Sequence, residues 1–291
     1  MMSRLAKRIL WPLVLWLGLC GTALSAAGQS VLYSFSRPGQ PTHYLLGTMH
    51  SDDSRVISVL DRVRQPMDEV DQVVLEILPD AGSLVSASLA MLLPADQKLS
   101  QLLGQGLYRR VLAPMQEKGV PELLLERMKP WAVAVTLGTP ELQGPAMDQV
   151  IQQRALAAGK RLVALETAQE QMALFDDLPR ALQVRMLEEV LEQQDSLAMQ
   201  LEHLTQAYLA GDLERLRALS LEYDAAGDQA LSAWFRRVLI EERNLRMFQR
   251  LLPILEQGGT LVAVGALHLP GNEGLVKLLQ NAGYSVTPLY W

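Results

Sequence analysis

The chain has 291 residues, 49% hydrophobic and 20% charged, which excludes disorder and supplies enough apolar side chains for one sizeable core or two smaller ones. A formal charge of −6 with no long basic run after the first few residues excludes a nucleic-acid partner, because phosphate binding needs a concentrated positive face. The single cysteine, Cys20, excludes a disulfide scaffold.

Arg4, Lys7 and Arg8 precede an apolar stretch from Ile9 to Leu19, and small residues follow at Ala23, Ser25, Ala26 and Ala27. This order is that of a secretory signal peptide with cleavage after Ser25 or Ala27. The apolar stretch falls short of the roughly 20 residues a helix needs to cross a bilayer, although an uncleaved anchor stays open as the alternative. The expected organisation is a leader over 1–27 and one domain over 28–291, periplasmic or secreted, with no membrane span after the leader. Losing three basic residues and no acid from a formal −6 leaves the exported part at −9 and without cysteine, which rules out thiolate catalysis and zinc–thiolate sites.

Val31 to Ser36 and Thr42 to Gly47 are β-prone runs separated by Arg37-Pro38-Gly39-Gln40-Pro41, a pattern that predicts a hairpin. Val56, Leu60 and Val63 recur at helical spacing, and Gln72 to Ile77 is an apolar strand with Glu76 near its end. Residues 83–158 are mainly helical and punctuated by prolines. Arg161 to Glu166 repeats the acid-ended strand. A second helical region covers 179–256, broken near Gly211 and Gly227, with Leu231, Trp234, Val238, Leu245, Phe248 and Leu252 as its buried stripe. Thr260 to Val264, Gly271 to Ala282 and Tyr284 to Tyr290 read as strand, helix, strand. The expected fold is α/β with an α+β-like character: a central mixed sheet with paired Gly-x-x-His strand ends and a large helical insertion.

Two of the four histidines share a local context. Gly47-Thr48-Met49-His50 and Gly265-Ala266-Leu267-His268 each follow an apolar strand, and polar function in open α/β sheets collects beyond the carboxyl ends of strands. Glu76 and Glu166 would stand on the same rim. Imidazole and carboxylate together form a standard ligand set for a divalent cation with room left for water. The competing readings are a hydrogen-bonded loop histidine and a Glu that caps backbone amides. Arg236, Arg243 and Arg250 recur every seven residues, either as a solvated basic face or as a source of positive charge. Asp52 and Asp53 could orient His50 or cap a helix, and Asp148 reads as an acid in a helix's first turn. His43 and His203 read as structural, His43 as a surface or strand-pairing residue.

Leu46 to His50, Leu75-Glu76, Leu165-Glu166-Thr167 with Glu170-Gln171, Arg243-Asn244, and Val264 to Gly271 together resemble the TraB/GumN family over essentially the whole exported chain. The related Tiki proteins are peptidases dependent on manganese or cobalt, and a wider similarity runs to erythromycin-esterase-like hydrolases and haem-binding ChaN-like proteins. The resemblance implies an active centre of His50, Glu76 and His268. The two histidines would ligate a divalent cation, manganese or cobalt before zinc. Glu76 would be a ligand or general base, Arg243 an oxyanion stabiliser, and Glu166, Asn244, Gly47 and Gly265 further site residues. The function so implied is an exported metal-dependent hydrolase acting on a peptide or protein substrate. The alternatives are a metal-free esterase-like hydrolase using His50 and Glu76, and a non-catalytic haem- or ligand-binding protein. His-Glu-x-x-His and Gly-x-Ser-x-Gly are both absent from the chain.

Overall fold

The computed structural model describes residues 30–290, apart from 79 and 226 and the side chains of 81, 84 and 222–225. The expected leader lies outside the described residues. The sheet is built from β1 (Leu32–Ser36), β2 (His43–Thr48), β3 (Gln72–Leu75), β4 (Arg161–Ala164), β5 (Thr260–Gly265) and β6 (Ser285–Pro288), in the order β4-β3-β5-β2-β1-β6. β4, β3, β5 and β2 run parallel, whereas β1 is antiparallel to both β2 and β6. The mixed sheet is thus as expected, with the N-terminal hairpin lying between β5 and the C-terminal edge strand β6. β2, β3 and β5 are buried along nearly their whole length, as apolar runs covered on both faces should be.

The helices are α1 (Ser54–Ser58), α2 (Arg64–Glu69), α3 (Ala81–Ala90), α4 (Leu99–Glu117), α5 (Glu122–Leu125), α6 (Pro130–Gly138) and α7 (Met147–Ala157). They continue with α8 (Ala168–Asp176), α9 (Arg180–Leu209), α10 (Leu213–Ala225), α11 (Gln229–Trp234), α12 (Glu242–Leu255) and α13 (Leu275–Asn281). The helical spacing of Val56, Leu60 and Val63 is realised as α1, a 3-10 turn and α2 rather than one rod. The helix expected from Gly271 begins only at Leu275.

Two apolar cores result. One surrounds the sheet and includes Met147, Ile151 and Ala155 of α7, so this part of the expected helical region 83–158 packs on the strands. The other gathers Leu99, Val111, Met115, Trp131 and Leu137 from α4 and α6 with Leu187 of α9. At 30 residues, α9 is about 45 Å long. It places Leu187 in the second core and Tyr208 in the first.

The buried stripe of α12 differs from the expected one: Asn244, Met247, Leu251 and Leu255 face inward, while Leu245 is exposed. The cause is a π-helical turn over Phe235–Glu241. Its wider winding re-phases the helix that follows, and a 3.6-residue period extrapolated from Leu231 cannot anticipate it.

Of the two readings of His43 the strand-pairing one holds, since it pairs with Phe35 of β1, and the surface one does not. His43 is fully buried, stacks on Phe35 with ring centroids 5.1 Å apart, and has no hydrogen-bond partner on either ring nitrogen. Burial pushes its pKa down to about 4 from the ordinary 6.5. The fold therefore favours neutral His43. That stabilisation is complete above pH 6.5 and is lost as pH falls toward 4. Urea titrations at pH 7 and pH 4.5 should show His43 contributing a loss of about 2–3 kcal/mol, and His43→Leu should remove that share of the acid sensitivity.

Candidate active site at the strand ends

The carboxyl ends of β2, β3 and β5, together with the first turn of α7, wall a cavity of about 390 Å³ lined by Thr48, His50, Glu76, Asp148, Gln171 and Gly265, among others. His50 and Glu76 reach it because an apolar strand stops there, whereas Glu166 and His268 follow strand ends without lining it. β3 ends at Leu75 and turns out Glu76, β4 ends at Ala164 with Glu166 two residues on, and β2 ends at Thr48 two residues before His50. After β5, a 3-10 turn over Ala266–His268 folds His268 back into the interior.

The Arg243 guanidinium joins these ends. Its Nη2 donates to Glu76 Oε2 at 2.5 Å and to Glu166 Oε2 at 2.8 Å, and its Nε donates to Glu166 Oε2 at 2.9 Å. Its Nη1 lies 3.2 Å from His268 Nε2. Gln171 Nε2 donates to both carboxylates at 3.2 Å. Glu76 Oε1 accepts the Gly265 N–H at 2.6 Å and stands 3.7 Å from His268 Nε2, so the amide-capping reading of Glu76 is realised beside its ion pair.

Burial disfavours charge on Glu76. Coupling to the His268 imidazole, the Arg243 guanidinium and the Gly265 N–H outweighs it and holds the carboxyl below its usual value. For His268 burial wins, helped by Arg243 and opposed by the carboxylates, and its pKa drops to about 4. The imidazole is neutral at pH 7.

His50 has a different environment from its sequence twin. Its side chain is 64% exposed, and its Nδ1 lies 3.8 Å from Asp148 Oδ2, which raises its pKa. Asp148 is held in turn by the Thr48 hydroxyl, which donates to Oδ1 at 2.7 Å. Asp52 and Asp53 do not orient His50: Asp52 accepts backbone N–H groups of Gln143 and Gly144, and Asp53 caps α1. Arg236 pairs with Glu241, and Arg250 with Glu170 and the Leu165 carbonyl. His203 is an exposed residue of α9.

Sequence reasoning passed over Gln171 as a site residue and set Asp148 aside. A signal for Gln171 existed, because Thr167 and Glu170 form a capping box that starts α8 at Ala168 and so fixes Gln171 one turn beyond Glu166.

The sequence profile of the TraB/PrgY/gumN family matches residues 31–288. The chain belongs to the TraB/PrgY/gumN family. It is 28% identical to "Metalloprotease TIKI1" of Danio rerio over 89% of this chain and 63% of that protein, and 25% identical to "Metalloprotease TIKI1" of Homo sapiens over 89% and 61%. It is also 23% identical to "Uncharacterized protein YbaP" of Escherichia coli (strain K12), over 84% of this chain and 89% of that one. The chain spans about three-fifths of the length of the TIKI proteins. No solved structure matches. Among the described residues of this TraB/PrgY/gumN member, no helix is long and apolar enough to cross a membrane.

The two motif glycines are required by close packing, since neither has a positive φ. A Cβ on Gly47 would lie 3.0 Å from Ala266 Cα and 3.1 Å from Leu269 Cδ2, and one on Gly265 would lie 3.1 Å from Glu76 Oε1. At Gly138 an added Cβ meets only Val190 methyls at 3.8 Å. Gly47→Ala should therefore cost about 1–3 kcal/mol. Gly138→Ala should be neutral or stabilising by up to about 1 kcal/mol, with urea midpoints as the readout.

Proposed function

We propose that the chain is an exported hydrolase that cleaves peptide bonds in a peptide or protein substrate, with the strand-end cavity as its substrate site. The observation that supports this most directly is that His50 and Glu76, from separate strand ends, share one cavity wall with Asp148 beside His50. Relatives named metalloproteases support the reaction class.

His50 is the exposed, titratable group of the pair. Asp148 raises the pKa of His50 while that of Glu76 is held below its usual value, so His50 is the more basic of the two and the better proton acceptor. In this reading His50 takes the proton from the attacking water and returns it to the leaving amine. The Glu76 carboxylate, both of whose oxygens are already oriented, holds the water with the remaining lone pair of Oε1. Arg243 does not line the cavity. Its donors are used by Glu76, Glu166 and the Leu239 carbonyl, so it positions Glu76 rather than an oxyanion.

The relatives' names imply a metal, and the family resemblance implies manganese or cobalt before zinc. As folded, the expected ligands do not fit one. Among the described residues, no three His, Cys, Asp or Glu side chains are grouped closely enough to hold a metal ion. His268 Nε2 and Glu76 Oε2 both face Arg243. A cation shared by His50, Glu76 and His268 would require Arg243 to leave first. Asp148 beside His50 favours a second reading, ester hydrolysis by the same pair.

The test is digestion of an unstructured protein by the purified chain, followed by mass spectrometry, with chelator and with added manganese or cobalt. The expected result is peptide cleavage that falls about 10²- to 10⁴-fold in His50→Ala and Glu76→Gln, both checked for folding. Absence of cleavage under every condition, or cleavage that both variants retain, would overturn the proposal.

A further inference from the structure

Asn244 was expected at the site only by resemblance, and its contacts define a role. It is 1% exposed and sits one residue after Arg243 on α12, in the phase set by the π turn over Phe235–Glu241. Its Oδ1 lies 2.7 Å from His268 Nδ1, and its Nδ2 donates to the Glu273 carbonyl at 2.8 Å. His268, 4% exposed, has no solvent to choose its tautomer for it.

Two constraints on that choice are independent and agree. A carbonyl only accepts, so Glu273 requires the NH₂ end of the Asn244 amide and leaves Oδ1 facing His268, whose Nδ1 must then carry the proton. On the other side of the ring, Arg243 Nη1 lies 3.2 Å from Nε2. A guanidinium only donates, so Nε2 must present a lone pair. The opposite tautomer would set donor against donor at Nε2 and acceptor against acceptor at Asn244 Oδ1, or at the Glu273 carbonyl if the amide turned over, each an unsatisfied buried polar contact.

We infer that Asn244 is a positioning residue that locks His268 in its neutral Nδ1–H tautomer, so that His268 serves the strand-end site as a hydrogen-bond acceptor through Nε2 and not as a proton donor. The lock keeps Nη1 of Arg243 engaged while Nη2 and Nε hold the two carboxylates. It also links the 270–274 loop to the site, since the Glu273 carbonyl fixes the amide. The bearing on catalysis rests on the hydrolase reading above. The tautomer does not, because it is measured without substrate.

The experiment is long-range ¹H–¹⁵N spectroscopy of the ¹⁵N-histidine-labelled protein at pH 7, with His268 assigned from the His268→Gln variant. Wild type should show the Nδ1–H pattern for His268. Asn244→Asp, which keeps an acceptor at that position, should retain it. Asn244→Leu should release it to a mixture or to Nε2–H. In the peptide-cleavage assay Asn244→Leu should lower kcat about 10- to 100-fold with KM little changed, because Asn244 does not line the substrate cavity. An Nε2–H or doubly protonated His268 in wild type, or a folded Asn244→Leu with an unchanged His268 pattern, would overturn the inference. Should Asn244→Leu fail to fold, the wild-type and Asn244→Asp spectra decide it alone. A protein without hydrolase activity but with the Nδ1–H pattern would overturn the function and leave the lock standing.

Discussion

Two carboxylates brought together at the ends of adjacent parallel strands are stable only if a cation lies between them. Glu76 follows β3 and Glu166 follows β4, and the Glu166 side chain is only 1% exposed, so their desolvation and mutual repulsion would cost several kcal/mol if left uncompensated. Arg243 meets both, and Gln171 reinforces each. The planar fork of the guanidinium suits this task, because one group can address two carboxylates and an imidazole at fixed angles. Through it α12 is tied to the ends of β3 and β4 and to the turn after β5, and α8 joins through Gln171.

Two motifs with the same spacing therefore perform different physical work. After Gly265 the chain makes a 3-10 turn that buries His268 against Asn244 and the cluster, and the ring stays neutral. After Gly47 it leaves the sheet in an open loop, and His50 remains exposed beside Asp148 with its pKa raised. One histidine belongs to the supporting framework, the other to the cavity. Their glycines make the arrangement possible by letting β2 approach the Ala266 turn and β5 approach Glu76 within van der Waals distance.

Much of this was legible in the sequence. Apolar runs bounded by Pro and Gly located all six strands to within a few residues, and the paired Gly-x-x-His and acid-ended strands placed His50, Glu76, Glu166 and His268 on one rim. What the sequence did not carry was phase and partner. The π turn shifts α12 and exchanges Leu245 for Asn244 and Met247 as its inward residues. The inward face of His43 depends on strand register, not on alternation along β2 alone. Arg243 between Glu76 and His268, and Asp148 rather than Glu76 beside His50, are long-range pairings that no local spacing encodes.

The most direct test of the central claim is a double-mutant cycle on unfolding free energy with Arg243→Met, Glu166→Gln and the pair. If Arg243 is what makes the strand-end carboxylates tolerable, Arg243→Met alone costs about 3–5 kcal/mol. The double variant then recovers a substantial part of that loss, giving a coupling energy above about 1 kcal/mol. An Arg243→Met protein within about 0.5 kcal/mol of wild type, with no coupling to Glu166, would contradict the account.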